Sequence, residues 1–276
     1  PSLLQYKSSC ASICVTRTIV WRYFIVLLRP GSDPTMVIDD TGAGRHIPTV
    51  NGIRTITLDL DDTLWEIHPV IRRAEQRLRD WLTQHYPRIT EMFAPQAIAE
   101  VRARVLETHR DMAHDLTFIR HTVLTEMASA AGYTDFLIEE AFAVFDDARN
   151  EVELFPEARP ALRALRERYT VIAVTNGNAK LDKIGIDDLF DGHINAAAAG
   201  AAKPERQIFD AAVEAGGASA NETLHVGDHP LYDIQGARDA GLRTVWVNRN
   251  SDSWPSEFAA PDIEVRHVGE LHELLP

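Results

Sequence analysis

Cysteine is scarce in this sequence of 276 residues, and acidic residues outnumber basic ones. The two cysteines, Cys10 and Cys14, lie near the N-terminus, so a disulfide framework is excluded, and their spacing without nearby histidines is a poor metal signal. This cysteine usage fits a reducing compartment, and we expect a cytoplasmic protein. The formal net charge of −13 argues against general nucleic-acid binding, because the phosphate backbone would repel an acidic protein.

A long uninterrupted apolar run is also missing. The apolar stretch over residues 13–28 is broken by Arg17 and Arg22, whereas a spanning helix needs about 20 predominantly apolar residues, so we expect no membrane interaction. We expect residues 1–50 to be an N-terminal extension that is flexible or not native: residues 1–35 would lie upstream of a natural translation start at Met36, and a flexible segment would follow it. A targeting segment or a membrane-surface anchor is the alternative. The hydrophobic fraction of 45% excludes a wholly disordered chain.

Two aspartates follow a predicted strand directly. Residues 53–58 are β-branched and bounded by a glycine, which predicts a buried strand, and Asp59 and Asp61 stand at its end. In open parallel α/β sheets the ligand crevice lies beyond the carboxyl ends of the strands. One carboxylate there could attack a phosphorus centre while the other protonates the leaving oxygen. The alternative is a helix cap or a cluster of turn acids.

A second predicted strand, residues 169–174, ends in Thr175 and Asn176. A hydroxyl followed by turn amides can seat a phosphate, although such a sequence is often only a turn. Lys203 and Pro204 precede a predicted helix over residues 205–215, which would place the lysine at a helix start, either as a solvated charge or as a phosphate ligand.

A third strand over residues 223–226 is followed by Asp228 and Asp233, oxygen ligands of the kind that a hard cation prefers. His229 is expected to make local hydrogen bonds and not to bind metal. A fourth strand is predicted over residues 243–248. Because helical stretches separate the apolar strands, the sequence predicts an α/β fold with a parallel, Rossmann-like sheet and right-handed crossovers.

The order of these motifs resembles the haloacid dehalogenase (HAD) superfamily of aspartate-nucleophile phosphohydrolases over about residues 53–276. The motifs that carry the resemblance are Asp59-Leu60-Asp61-Asp62-Thr63, Thr175 in Val-Thr-Asn-Gly-Asn, Lys203, and Gly227-Asp228-His229-Pro230-Leu231-Tyr232-Asp233. The resemblance implies that Asp59 is the nucleophile, that Asp61 is the general acid and base, and that Thr175, Asn176 and Lys203 bind the phosphoryl group. Asp62 stands where many members have glycine, and we interpret it as a tolerated variant with a local capping role.

The resemblance also implies a magnesium ion. Asp59, the backbone carbonyl of Asp61 and the carboxylate of Asp228 would hold Mg²⁺, and Asp233 would orient either the waters of the metal or Lys203. The metal and the lysine would offset the charge of a phosphate monoester that meets a carboxylate. The dehalogenase branch needs no metal, so Asp228 disfavours that branch.

The segment between the first two motifs is far longer than a simple crossover. Amphipathic helices are predicted over residues 70–86, 95–112, 118–131 and 136–152, and residues 66–155 resemble the helical cap of the family, inserted into a catalytic core of residues 51–65 and 156–276. The absence of lysine from residues 66–155 disfavours the phosphonate-cleaving branch, which uses a cap lysine.

Three residues near this segment are candidates for other roles. Asp115 is expected to be an N-cap and only secondarily a substrate contact. Trp65 could stack on a planar substrate or pack in the core, and Arg120 could bind a second anionic group or lie on a solvated helix face.

The sequence thus predicts a Mg²⁺-dependent phosphatase that hydrolyses a small phosphorylated metabolite through an aspartyl phosphate. Its motifs most resemble the bacterial branch that dephosphorylates flavin mononucleotide (FMN) and a phosphorylated riboflavin precursor. A non-catalytic regulatory or binding module on the same fold and a sugar phosphomutase are the alternatives. The oligomeric state is left open.

Overall fold

A parallel β-sheet organises the part of the chain that the computed structural model describes, residues 51–275. Its six strands within this range are arranged in the order β3-β2-β1-β4-β5-β6, and every neighbouring pair is parallel. The predicted α/β class with a parallel sheet is therefore confirmed, whereas the expectation for residues 1–50 lies outside the described residues. The strands are β1 (Thr55–Leu58), β2 (Thr170–Thr175), β3 (Gly192–Asn195), β4 (Thr223–Gly227), β5 (Arg243–Val247) and β6 (Ile263–Val265).

The register of the central strands brings the predicted motifs to one edge. Leu58 at the end of β1 lies opposite Ala173 of β2 and Val226 of β4. All four residues of β1 are buried, as expected for a central strand covered on both faces. Since the three strands run in the same direction, the residues that follow them emerge together at the carboxyl edge of the sheet.

Short helices cover the two faces of this sheet. They belong to hydrophobic clusters that include Ile56 and Leu58 on one side and Ile172, Val174 and Phe209 on the other. The helices that accompany the sheet are α6 (Ala158–Arg166), α7 (Leu181–Ile184), α8 (Ala196–Ala199), α9 (Arg206–Gly216), α10 (Gly236–Asp239), which follows a π-helical turn (Pro230–Gln235), and α11 (Leu271–Leu274), with 3₁₀ turns at Asp187–Leu189, Ala220–Glu222 and Val268–Glu270.

The segment between β1 and α6 is helical, with a hydrophobic cluster of its own that includes Leu78, Ile119 and Phe145. The amphipathic periodicity predicted four helices here, which are observed with ends that differ by a few residues, whereas the short helix over residues 87–92 was not predicted. The division into a core and a cap at residues 66 and 155 stays a prediction. The helices are α1 (Ile67–His85), α2 (Pro87–Met92), α3 (Pro95–Thr108), α4 (Leu116–Ala130) and α5 (Ile138–Asn150), with a 3₁₀ turn at Arg110–Met112.

Two extended segments connect the helical insert to the sheet. They contact each other through an antiparallel bridge between Trp65 and Leu154 and through the hydrogen bond from Phe155 N to Leu64 O at 2.9 Å. The insert therefore leaves and re-enters the sheet layer at one place, directly after the first aspartates. None of the helices in the described range has the length and apolar character that a membrane crossing requires.

Candidate active site

The loop after β1 carries the two aspartates that the sequence singled out. Asp59 and Asp61 are both buried, with 6% and 4% of their surface exposed. Asp62 adopts a left-handed backbone with φ of 61°, which explains why a glycine is favoured at such a position. Its Oδ1 accepts a hydrogen bond from Ile67 N at 3.0 Å, the first residue of α1. The local capping role expected for Asp62 is what the geometry shows.

Lys203 lies between two carboxylates at the centre of the site. Its Nζ is 2.7 Å from Asp59 Oδ1 and 2.6 Å from Asp233 Oδ1, and the side chain is 2% exposed. Lys203 lies just before α9, as predicted, and this helix begins at Arg206, one residue later than expected. The lysine is a buried charge and not a solvated one.

The amide of Asn176 fixes the backbone of this lysine. Asn176 Oδ1 accepts from Lys203 N at 2.7 Å, and Asn176 Nδ2 donates to Lys203 O at 2.9 Å. The side chain predicted to bind phosphate therefore connects the loop after β2 to the segment before α9. Thr175 is buried, and its Oγ1 accepts from Gly177 N at 2.9 Å, which orders the turn that follows β2.

Asp233 is surrounded by donors. Beyond Lys203, its Oδ1 lies 3.2 Å from His225 Nε2, and its Oδ2 accepts from His229 N at 2.8 Å. A Cβ on Gly227 would lie 2.3 Å from Asp233 Cγ, so only glycine lets the carboxylate approach the end of β4 so closely. His229 Nδ1 accepts from the backbone amides of Leu231 and Tyr232. This local hydrogen bonding is what the sequence predicted for His229.

Burial and charge shift the ionisation of these groups. Burial raises the pKa of Asp59 well above its ordinary value, and the carboxylates of Asp233 and Asp228 raise it further against the effect of Lys203. Burial opposes the charge of Lys203, yet Asp233 and Asp59 outweigh it and raise the pKa of the lysine. The pKa of Asp233 is lowered in spite of burial, by Lys203 and His225. Burial lowers the pKa of His225, so this imidazole is neutral at pH 7.

The same cluster has the composition of a divalent-cation site. One oxygen from each of Asp59, Asp228 and Asp233 lies within 4.8 Å of the others. When ionised, three carboxylates face the single ammonium of Lys203 and leave an excess of about two negative charges in a buried place, which a hard divalent cation with oxygen ligands would neutralise. Because Asp233 already accepts hydrogen bonds at both oxygens, Asp59 and Asp228 are the better placed direct ligands.

Asp61 faces two donors that the motif itself did not reveal. Arg149 Nη2 donates to both oxygens of Asp61, at 2.9 Å and 2.8 Å, and Trp65 Nε1 donates to Asp61 Oδ1 at 2.9 Å. Trp65 is fully buried, so the interpretation that it stacks on a substrate is wrong, and core packing with a hydrogen bond replaces it. Arg149 comes from the last turn of α5, and sequence reasoning missed it because 88 positions separate it from its partner.

Arg120 does not lie on a solvated helix face. Its Nη2 donates to Glu75 Oε1 at 2.8 Å, its guanidinium lies 3.4 Å from the centre of the Phe145 ring, and its side chain is 10% exposed. An arginine that is paired and stacked in this way is part of the interior of the insert. The solvated helix face is therefore wrong, whereas the contact of Arg120 with a second anionic group stays a prediction.

A cavity of about 470 Å³ lies between the start of α4, the loop after β2, and β3 with the segment that precedes it. The segment 114–117 lines it from the insert, and Asn176 lines both this cavity and the smaller one that contains Asp59, Asp61 and Lys203. Asp115 Oδ1 accepts from the amides of Thr117 and Phe118, each at 3.0 Å, which is the N-cap role that the sequence predicted. The volume is that of a small-molecule site.

Comparisons with known proteins agree with this architecture. A family model described as haloacid dehalogenase-like hydrolase matches residues 53–241. A 5-amino-6-(5-phospho-D-ribitylamino)uracil phosphatase of Escherichia coli is 28% identical over 81% of this chain and 96% of its own, and a phosphoserine phosphatase of Thermus thermophilus is 30% identical over 80% and 98%. The crystal structure of a 2-haloacid dehalogenase from Pseudomonas syringae superposes with a TM-score of 0.77 and 35% identity over 80% of this chain and 97% of that one.

Proposed function

This chain belongs to the haloacid dehalogenase-like hydrolase family and is a phosphoric monoester hydrolase, and we propose that it is Mg²⁺-dependent and acts on a small phosphorylated metabolite through Asp59. The observation that carries the proposal is the buried contact of Lys203 with Asp59 at 2.7 Å, beside the carboxylates of Asp228 and Asp233. A binding module would gain nothing from burying the carboxylate of Asp59, because burial of such a group costs stability.

The first step is attack on phosphorus. Asp59 adds to the phosphoryl group as the bond to the leaving oxygen breaks, and the aspartyl group becomes an acyl phosphate. Asp61, two residues along the same loop, gives a proton to the leaving oxygen. Lys203 and Thr175 bind the phosphoryl oxygens, and the ammonium offsets the repulsion between carboxylate and phosphate.

The second step returns the enzyme to its starting state. Asp61 now takes a proton from the attacking water, whose oxygen adds to phosphorus and releases Asp59 as a carboxylate. Asn176 supports both steps, because its amide holds the backbone of Lys203 with two hydrogen bonds. Asp233 supports them as well, since it fixes the ammonium end of the same lysine at 2.6 Å.

A divalent cation completes the charge balance. Asp59, Asp228 and the backbone carbonyl of Asp61 would hold Mg²⁺, and the bound ion would neutralise phosphoryl charge as a Lewis acid. The excess of carboxylate over ammonium in this buried cluster supports the proposal. Asp233 would act on Lys203 and on the waters of the ion, because its own oxygens already accept three hydrogen bonds.

The leaving group would occupy the cavity of about 470 Å³ that adjoins the site. Its size suits a leaving group as large as a flavin or a ribitylamino-uracil, and the E. coli relative is named for the phosphate ester of the latter. We therefore rank FMN and the phosphorylated riboflavin precursor first among the substrates, ahead of phosphoserine and sugar phosphates.

A panel of phosphate esters tests this function. Inorganic phosphate is measured after incubation with FMN, the phosphorylated ribityl-pyrimidine, phosphoserine and sugar phosphates, in Mg²⁺ and again with a chelator. We expect release that depends on Mg²⁺ and is fastest for the first two esters. No release from any ester would favour a non-catalytic module, whereas transfer to a second sugar hydroxyl instead of water would identify a phosphomutase.

The similarity to a 2-haloacid dehalogenase calls for one further arm in the same assay. Halide release from 2-chloropropionate needs a nucleophilic carboxylate but no proton donor for a leaving oxygen, because chloride departs without a proton. The presence of Asp61 and Asp228 therefore favours phosphate esters. Halide release that exceeds phosphate release from every ester would reverse this assignment.

A further inference from the structure

Arg149 is a buried cation from the helical insert that ends against the loop after β1. Its side chain is 1% exposed, and its Nη2 donates to both oxygens of Asp61. Arg149 thus comes from a distant part of the chain, whereas Trp65 Nε1, which also donates to Asp61, lies four positions away. The side chain that carries the proton in the proposed reaction is therefore oriented partly by the insert.

Three hydrogen bonds hold the last turn of α5 against the sheet layer, close to the contact between Arg149 and Asp61. Arg149 Nε donates to Asn178 Oδ1 at 3.3 Å, Asn150 Oδ1 accepts from Lys180 N at 2.7 Å, and Asp146 Oδ2 accepts from Lys180 Nζ at 2.8 Å. These three contacts all go to the loop that follows Thr175 and Gly177. Because they fix the end of α5, they fix the guanidinium that it carries.

The absence of a side chain at Gly177 makes room for the contact between Arg149 and Asp61. A Cβ on Gly177 would lie 2.9 Å from Asp61 Oδ2 and 3.1 Å from Arg149 Nη2, so glycine allows the loop after β2 to approach both groups. Arg149 Nη1 is buried without a hydrogen-bond partner among the described residues.

We propose that Arg149 is a positioning residue for Asp61, so that proton delivery to the leaving group depends on the insert being seated on the sheet layer. The inference rests on the proposed function. In the reaction, the proton moves from one Asp61 oxygen to the leaving oxygen as the P–O bond breaks and its electron pair stays on that oxygen. Because Arg149 Nη2 reaches both oxygens, one can carry the proton while the other continues to accept from the guanidinium.

Leaving groups of different basicity test the proposal with the full-length protein. An alkyl phosphate, such as a sugar phosphate, needs a proton on the departing oxygen, whereas 4-nitrophenolate departs readily without one. We expect Arg149→Met to slow formation of the phosphoenzyme from the alkyl ester by about 10²-fold, a typical contribution of a general acid, and to leave the pre-steady-state burst of 4-nitrophenol nearly unchanged. Arg149→Lys, which keeps one charged donor, should recover part of the loss.

A double-mutant cycle separates positioning from a structural role. If Arg149 acts through Asp61, then Arg149→Met added to Asp61→Asn should lower the alkyl-ester rate by less than twofold beyond Asp61→Asn alone. Arg104→Met is the matched control, because Arg104 is an exposed arginine of the same insert that pairs with Glu126. It should leave both rates as in wild type.

Two results would overturn the proposal. One is an equal loss with both leaving groups, and the other is a loss in the double variant that multiplies those of the single variants. If Arg149→Met fails to fold, as judged by circular dichroism, the cycle is run with Arg149→Lys, and the same two results count against it. Failure of the proposed function is distinguished at once, since wild type would then release no phosphate from either ester.

Discussion

Two buried cations, Lys203 and Arg149, contact carboxylates at the carboxyl edge of this sheet. The number of carboxylates around each cation differs. Lys203 lies between Asp59 and Asp233, with Asp228 nearby, so carboxylates exceed the cation. Among the described residues, Arg149 forms an ion pair with the carboxylate of Asp61. The first cluster carries an excess of negative charge when ionised, whereas the second pairs one cation with one carboxylate. Under the proposed function, Asp59 would face the metal and the phosphoryl group, and Asp61 would transfer the proton.

The largest effect is expected at the nucleophile. Asp59→Asn replaces an attacking carboxylate by an amide and should lower phosphate release by about 10³-fold or more, as losses of nucleophiles do. The measurement is phosphate release with Mg²⁺, and Asp210→Asn, an exposed acid of α9 that pairs with Arg206, is the control expected to match wild type. An Asp59→Asn enzyme that turns over 4-nitrophenyl phosphate like wild type would remove Asp59 from the reaction.

The second-largest effect is expected for the stability of a Lys203 variant, and it distinguishes Lys203 from Arg149. Lys203→Met leaves the buried carboxylates of Asp59 and Asp233 without their ammonium, and breaking a buried pair in this way costs about 3–5 kcal/mol. Urea unfolding in chelator should show this loss, and Mg²⁺ should restore part of it because the ion supplies the missing charge. A loss that Mg²⁺ leaves unchanged would mean that the ion does not bind beside Asp59.

A pH-dependent effect is expected within the insert. Burial alone would raise the pKa of Glu75, yet Arg120 and Arg102 outweigh burial and lower it from its ordinary value of 4.5. A carboxylate with a lowered pKa stabilises the fold above its unfolded-state pKa and loses that contribution as the pH falls through the folded one. We expect Glu75→Gln to cost about 1–3 kcal/mol at pH 7, since it removes hydrogen bonds to charged groups.

The difference in unfolding free energy between wild type and Glu75→Gln should therefore stay constant from pH 7 to about pH 5 and shrink below pH 4.5. Chemical denaturation across this range measures it. A difference that grows on acidification would have the wrong sign for a carboxylate held by two arginines.

The smallest effect belongs to the start of α4. Asp115→Ala removes the side-chain acceptor for the amides of Thr117 and Phe118 and should cost about 1 kcal/mol of stability. Asp115→Asn, which keeps an acceptor oxygen, should cost less. Equal losses for both variants would show that the charge of Asp115, and not its hydrogen bonds, stabilises this end of the helix.

Much of the sheet could be predicted because its central strands are short apolar runs. The strands β1, β2, β4 and β5 coincide with such runs, and each was predicted to within two residues. The strand β3, Gly-His-Ile-Asn, was missed because it is short, polar and only half-buried at the edge of the sheet. The strand β6 was also missed, because it has only three residues.

The positions of the candidate site residues were predictable to the extent that they follow strands directly. Asp59, Thr175 and Asp228 come together because parallel strands end at one edge. The partners of these residues were not predictable in the same way. The side chain of Asn176, which was expected to contact phosphate, also holds the backbone of Lys203. Trp65 was expected either to stack on a substrate or to pack in the core, and its hydrogen bond to Asp61 was not foreseen.

The sequence by itself determined which side chains are candidates for the chemistry, because an acid or a hydroxyl at the end of an apolar strand can be recognised from its immediate neighbours. Only the tertiary structure decided how those side chains are paired. The contact between Asp61 and Arg149 crosses 88 positions and depends on where α5 ends relative to the loop after β1, which no local pattern encodes. Local residue order specifies the elements, whereas the packing of distant elements specifies the distances on which proton transfer depends.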